Sequence, residues 1–534
     1  MIKNIFKAIG CLSLVVTAFN PVLAQENQTP ASVEKLKMQN IWMNNTTNAA
    51  AGVVDASKVY SISSLGYQMD KGDFSMTQAG KDNNQFQLKT EGGGVYEKLA
   101  NMFMYGELSY TRDVIKESKF NLLEYDPFRD IPFLLADTNT SKWIRQQYDL
   151  NMKIATPQLF NFLTLGVTGN YMTGLSAKQD DPRTQKDVSR FGIGGSILMS
   201  FGKHHIGMEF NHQNRREDGY TKIYNSRFTS RAWDYVAPGF FREAEMGSFG
   251  SLVTSRYNHS HLMNGALQYG FKNDHWNFLL EGKYQHLVED INNESLSGSP
   301  GTGRKMIGTV VQDTWSGKVV LNYTFNNGNM LALNASYADK HVDGIEYFQE
   351  FNSDFEVQAW EVKAKYIRST IDRVHTDVKL DYIVNDGNVY KWWFGVNFAN
   401  RTYDWAYILP SAGQNVANSI FGVHASRHIK FNDNNSLTVK LNGAYSSNGE
   451  ASSSYDAPGT QPDNVGWTEF TMKDFNYLTT NYVKFGGELS YSYSGFKRND
   501  SLSLFFTVAL DHYSPDSDEF DKRTISNFKI GLAF

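Results

Sequence analysis

From about residue 57 to its last residue the chain alternates apolar and polar side chains with a period of two. Outside the first 24 residues no apolar run approaches the length of a membrane-crossing helix. "YDLNMKIA" places Tyr148, Leu150, Met152 and Ile154 on one face of an extended strand, and "FLTLGVTGNYMTG" does the same with Leu163, Leu165, Val167 and Tyr171. "RFGIGGSILMSFGKHHIGMEFNH" repeats the pattern on both sides of a turn near Lys203, with Phe191, Ile193 and Ile197 before it and Ile206, Met208 and Phe210 after. Leu267, Tyr269 and Phe271, then Trp276, Phe278 and Leu280, flank another turn at Lys272 to His275. Such a pattern commits nearly the whole chain to antiparallel sheet.

The connections narrow the architecture. Tight polar turns at 326–329, 385–388, 432–435 and 497–500 use the Asn, Asp and Gly residues that tolerate turn backbones. Longer polar connections are expected at 116–141, 174–188, 216–252, 290–306 and 449–478, alternating with the short ones. A soluble sandwich gives no reason for such alternation, whereas a membrane barrel has short turns on one side and long loops on the other. Reading 57–70 as the first strand and 522–534 as the last gives an all-β, transmembrane, antiparallel up-and-down β-barrel of about 18 strands (roughly 14–20). That count takes 360–384 as one long strand, because an odd number would put the two chain ends on opposite sides of the membrane. An aromatic content of 14% in a chain whose mean hydropathy is −0.45 fits this class, since barrel strands show lipid only every second residue. Only 12 prolines and no low-complexity linker interrupt it.

The first 24 residues have Lys3 and Lys7 ahead of an apolar run, with Val22 and Ala24 before Gln25, the pattern of a secretory signal peptide. Cys11, the only cysteine, falls inside it, so no disulfide or cysteine–metal site is expected beyond. Removing Lys3 and Lys7 leaves 49 basic against 56 acidic residues, a balance that does not suit nucleic acid. Residues 25–56 lack a strand pattern and are expected to lie in the periplasm or to plug the lumen, with the barrel at 57–534.

The last strand, "TISNFKIGLAF", ends on Phe534. It resembles the C-terminal signature of outer-membrane barrels that is read by the barrel-assembly machinery. The chain as a whole resembles uncharacterised outer-membrane β-barrel families of gut-type Gram-negative bacteria. That resemblance implies a multi-pass protein of the cell outer membrane, bounded by its lipid, with both termini periplasmic. "WMNNTTNAAAGVV" (42–54) is similar to the Asn-x-Ala segment of long-chain fatty-acid-transporter-like barrels, with Asn48-Ala49 where Asn-Pro is usual.

Strand parity separates lipid from lumen. If Val374, Thr376, Val378, Leu380 and Tyr382 face lipid, then Arg373, His375, Asp377, Lys379 and Asp381 share one lumen wall, joined by Lys391, Asn397 and Arg401 on the next strand. Charges of both signs there suit a selectivity filter or a self-paired network. The 215–251 connection interleaves Arg227 and Arg231 with Trp233 and Tyr235, a composition fit for anionic or ring-shaped ligands and equally for a loop's own core. His259 and His261 share a strand face, the only spacing that suggests a metal, although solvated histidines explain it as well. No nucleophile motif appears, so neither an enzyme nor a cofactor is expected.

The expected function is a porin-like channel or transporter for small solutes through a polar lumen. The alternatives are a barrel that docks surface lipoproteins or a secretion or uptake partner through its loops, and uptake of a hydrophobic ligand, metal or siderophore. The chain leaves little room for a full plug domain ahead of a larger barrel, which weighs against a TonB-dependent transporter.

Overall fold

A computed structural model describes residues 28–55, 59–225, 230–235, 241–246, 255–294, 304–352, 359–457, 465–496 and 501–534. The expected signal peptide, the turn at 497–500 and Arg227 lie outside the described residues.

Eighteen antiparallel strands form one closed sheet. The first strand, Tyr60–Gly72, pairs with the second, Asp82–Tyr96, and also with the last, Arg523–Ala533. Phe534 completes the closure by exchanging two backbone hydrogen bonds with Ser61, at 2.7 and 2.9 Å. Closure leaves no open edge, which is what a sheet surrounded by hydrocarbon requires.

The two faces are inverted relative to a soluble sheet. Leu267 is 65% exposed and Leu441 62% exposed on the outside, while the inward-facing Gln268 is buried. Paired aromatics rim this outer band. Trp276 and Tyr323 (4.6 Å between ring centroids) and Tyr323 and Phe325 (4.8 Å) lie by the short turns, and Tyr110 with Tyr148 (4.7 Å) and Tyr284 with Trp315 (4.6 Å) lie nearer the loops. An apolar band between aromatic girdles marks the protein as a multi-pass outer-membrane β-barrel.

Both termini of the sheet sit at the end that carries the short turns, which is the periplasmic end by the usual rule. At the opposite end, among the described residues, several connections are shorter than the alternation suggested. Strands Leu163–Lys178 and Arg183–Phe201 consume most of 174–188, and 408–411 and 516–522 are also brief. Their polar sequence reflects strands that rise past the lipid into water, where alternation no longer has to be apolar on one side. The stretch around 360–384 is a single strand, Ala359–Asp386, and the irregularities near Ser369 are bulges in its pairing with Met330–Asn352.

The lumen is furnished from both ends. At the periplasmic end are three short helices: α1 (Pro30–Gln39), α2 (Ile41–Asn45) and α3 (Gly52–Asp55). Thr29 starts α1 through a capping box with Ser32 (Ser32 N–H to Thr29 Oγ1, 3.2 Å), with Pro30 in the first turn. At the extracellular end, Leu134–Asp137, Ser230–Tyr235 and Phe241–Met246 make a small sheet, joined by α4 (Met472–Thr479).

Candidate functional site

The N-terminal segment is fitted to the wall by shape and capped by charge. Ile41, Trp42 and Ala49 to Ala51 are fully buried, and Trp42 packs with Ile41, Ala50, Leu198, Leu279 and Val320. Two wall glycines make room. A β-carbon on Gly270 would lie 2.3 Å from Trp42 Cζ2, and one on Gly166 would lie 2.3 Å from the Ala50 nitrogen. Wall lysines then reach the carbonyls that the short helices leave open: Lys153 Nζ donates to the Thr46 (2.7 Å) and Met43 (3.1 Å) oxygens, Lys318 to Asn45 (3.1 Å) and Lys272 to Val54 (2.7 Å). Asp55 accepts the Trp42 and Met43 N–H groups at the start of α2. Burial pushes its carboxyl up to about 6, against the pull of those donors and of Lys272 and Lys153.

The extracellular segment 119–140 folds into the lumen and is held both by apolar packing, with Phe133 and Pro132 seated against the wall glycines Gly308 and Gly344, and by ion pairs. Its two arms are zipped by Phe120 N–H to Asp137 O (3.1 Å) and Leu122 N–H to Leu135 O (3.0 Å). Arg129 meets Glu217 and Glu289, each at 2.9 Å, and Arg256 meets Glu124 at 3.2 Å. Lys178 meets Asp137 at 2.6 Å with both side chains fully buried. Asp130 holds two wall cations, Lys340 at 2.8 Å and Arg373. Phe120 stacks on Phe470 at 5.0 Å, and Tyr235 lies 5.0 Å from Phe470 and 5.9 Å from Trp405, so the loops share one apolar core.

Beneath this core is a cavity of about 410 Å³. Its barrel wall is a lattice of three cross-strand rows: Ile371, Trp405 and Gln414; Arg373, Tyr403 and Val416; His375, Arg401 and Asn418. Arg373 lies 4.6 Å over the Tyr403 ring. Asp130, Tyr235, Phe470 and Asp474 close it from the loop side. Asp474 accepts the Thr77 N–H at 2.7 Å, and burial pushes its carboxyl up to about 7.

The lumen residues named from parity are thus spread over several places. Arg373, His375 and Arg401 line the cavity. Asp377 lies one row further in and is exposed. Lys379 and Asp381 pair at 3.2 Å, and Asp381 also meets His424 (3.0 Å) and accepts the Trp393 Nε1–H (2.8 Å), a compact network below the cavity. Lys391 is the extra residue of a bulge near the periplasmic turn and is exposed, while Tyr390 points inward to Glu34 (3.1 Å). Arg231 and Trp233 belong to the strand Ser230–Tyr235, and Tyr235 enters the loop core. His259 and His261 face outward with rings 4.7 Å apart. His261 stacks with His212 at 5.7 Å, and the Asn214 amide donates to His259 at 2.9 Å. Among the described residues no three metal-ligating side chains converge. Parity could have added Tyr403 and Trp405 to the inward list. Nothing local marks Asp130 or Lys340, which meet across 210 positions of sequence.

No curated protein matches the sequence. Among solved structures, the FrpB iron transporter from Neisseria meningitidis aligns at 9% identity over 91% of this chain and 83% of its own, with a TM-score of 0.42. The ferric yersiniabactin uptake receptor FyuA from Yersinia pestis aligns at 7% identity over 90% and 80%, with a TM-score of 0.40. BauA, the ferric preacinetobactin receptor of Acinetobacter baumannii, aligns at 9% over 89% and 80%, with a TM-score of 0.38. At these scores the likeness is one of outline. The model of one family of unknown function, DUF6850, matches residues 49–534, every strand of the barrel together with α3, and the chain belongs to that family.

Proposed function

We propose that the protein is a gated transporter of small solutes across the outer membrane, and not a permanently open diffusion pore. The observation that carries this reading is that the lumen holds two independently anchored obstacles with a lined cavity between wall and loops. Helices α1 to α3 stand at the periplasmic end, and the ion-paired 119–140 segment stands at the extracellular end. A solute entering from outside meets the loops, then the arginine- and aromatic-lined cavity beneath them, and then has to pass the N-terminal segment. A fold of this class serves channels and receptors alike, so the filling of the lumen decides between them.

Planar-bilayer recordings on the full chain and on a variant lacking residues 25–56 test the reading. Gating predicts little conductance from the full chain and a stable conductance from the truncated one. A full-chain conductance of porin size that truncation leaves unchanged would overturn it.

A second reading, docking of a surface partner, is favoured by one feature. Phe348, Tyr366, Ile367, Ile408 and Leu409 are all exposed on the ribbon formed around Ala359–Asp386. Tyr366 lies 14 residues above the lipid-facing Leu380, roughly 35 Å at about 3.3 Å per residue and a 40° tilt, beyond a band only about 25 Å tall. Cross-linking from Tyr366 in intact cells would identify a bound protein. Its absence would remove this reading.

A further inference from the structure

Asp130 sits at the one corner of the 119–140 segment that faces the cavity, and it is a single carboxylate shared by two cations, Lys340 and Arg373. The other anchors, Glu124, Arg129 and Asp137, reach the wall through partners away from the cavity lining. One row from Arg373, Arg401 projects into the cavity, exposed, and has no ion pair among the described residues. The remaining cavity carboxylate, Asp474, is turned to the Thr77 N–H. The cavity therefore offers two guanidinium groups against one carboxylate that belongs to the movable segment. The flat faces of Tyr403, Trp405 and Tyr235 and the amides of Gln414 and Asn418 lie within the same lining. Guanidinium groups bind carboxylates as forks, and aromatic faces take flat rings.

We propose that the cavity takes a ring-bearing organic carboxylate whose charge replaces that of Asp130 on Arg373, with Arg401 as its second contact, and so releases the Asp130 corner of the 119–140 segment. The exchange swaps one charge-assisted pair for another, so it costs little in itself. What changes is that Arg373 is now satisfied by the solute, and the Asp130 corner keeps only its pair with Lys340. This rests on the gated reading and adds to it the chemical class of solute and the contact that responds.

The test uses the full chain in detergent micelles, with gallate as the probe and its uncharged methyl ester as the control, by titration calorimetry. A nitroxide on Phe128→Cys, in a Cys11→Ser background, reports the segment's motion. Gallate should bind at least about tenfold more tightly than the ester, and Arg401→Gln should lose about that factor. Asp130→Asn, which removes the competitor, should bind gallate more tightly and mobilise the label without it, and gallate should mobilise the label in the parent. Heat-dependent gel migration confirms that each variant is a folded barrel. Equal binding of acid and ester, weaker binding by Asp130→Asn, or a label unmoved by saturating gallate would each overturn the proposal. If the label stays fixed while Asp130→Asn conducts in planar bilayers, the solute assignment fails and gating stands. If gallate binds and frees the label yet no variant conducts, gating fails and the assignment stands.

Discussion

Replacing Trp42 by alanine tests how the N-terminal segment is held. The indole is wholly enclosed, touching Ile41, Ala50, Leu198, Leu279 and Val320, and it lies against Gly270, where the wall has no side chain. Truncating a buried tryptophan costs about 3–5 kcal/mol, the larger part of it from the cavity left behind. At 1.4 kcal/mol per decade that shifts the docked-to-undocked ratio by roughly 10²- to 10³-fold or more. The remaining polar holds are the same with and without the indole and cannot make this up; Lys440–Glu34, for one, joins partly exposed side chains, of the kind worth about 0–1 kcal/mol. Trypsin reports the result, because Lys35 is buried in α1 with its ammonium on the Gly387 (2.7 Å) and Val389 (3.0 Å) carbonyls, and it must leave the wall to be cut. Where opening is fast relative to cleavage, the rate follows the open population, so cutting at Lys35 and Lys37 should accelerate by at least about 100-fold. The barrel itself should keep its heat-dependent migration. Unchanged cleavage in a folded Trp42→Ala barrel would show that shape complementarity does not hold the segment.

Further outcomes follow from other contacts. Gly270→Ala puts a β-carbon 2.3 Å from Trp42, so alone it should raise trypsin sensitivity, whereas in a Trp42→Ala background it should add little; additive effects in this cycle would refute the steric account. Lys178→Met leaves the Asp137 carboxylate buried without its cation, at a cost of about 3–5 kcal/mol, and should speed hydrogen exchange at Leu122 and Leu135. Asp474 has a pKa near 7 where it is buried and 3.8 when free, so the docked state binds its proton more tightly. The docking of α4 should therefore be strongest below about pH 4, weaken as pH rises to 7 by up to about 4 kcal/mol, and level off above. Hydrogen exchange of α4 corrected for its intrinsic pH dependence should show this, and Asp474→Asn should be flat. Deleting Phe534 removes the paired bonds to Ser61 that finish the closure and should lower the yield of folded barrel in refolding from urea, leaving soluble expression unchanged.

How far the sequence could be read depended on how local each signal is. Strand parity is decided by neighbouring residues, so Arg373, His375 and Arg401 could be placed on the inner wall from the alternation through Leu380 and Tyr382 alone. The same reasoning misplaced Lys391, because one bulge at Val384/Asn385 lets Tyr390 and Trp393 both turn inward and leaves Lys391 as the extra, unpaired residue. The polar stretch 174–188 looked like a loop because strands above the lipid lose their apolar face, yet backbone pairing continues to Lys178 and resumes at Arg183. The absence of a strand pattern in 25–56 left two positions open for it, periplasm or lumen. What separates them is Trp42 meeting Gly270 and Lys440 meeting Glu34, pairs far apart in sequence. The ion pairs of the 119–140 segment are of the same kind, and no local pattern encodes them.

The two obstacles differ in whether an ion pair of theirs faces the cavity, and that difference says what could move each. The N-terminal segment is seated by close packing against glycines and by lysines on helix-end carbonyls. A small solute in the cavity above offers no competing contact for these, and apolar burial is insensitive to charge. Moving it takes a force on the chain or a partner that binds the undocked form, because a ligand shifts an equilibrium only by its difference in affinity for the two states. The 119–140 segment is packed against wall glycines too, but one of its ion pairs faces the cavity, and a charged solute can substitute for a partner there, at the Asp130 corner. Two gates that respond to different inputs would admit a solute in two steps, first by exchange of charge at the outer face and then by displacement of a packed segment at the inner one. Weakening both gates together, with Asp130→Asn and Trp42→Ala in one chain, should therefore give a larger conductance than either change gives alone. A current from Asp130→Asn alone equal to that of the double variant would mean that the N-terminal segment is no barrier.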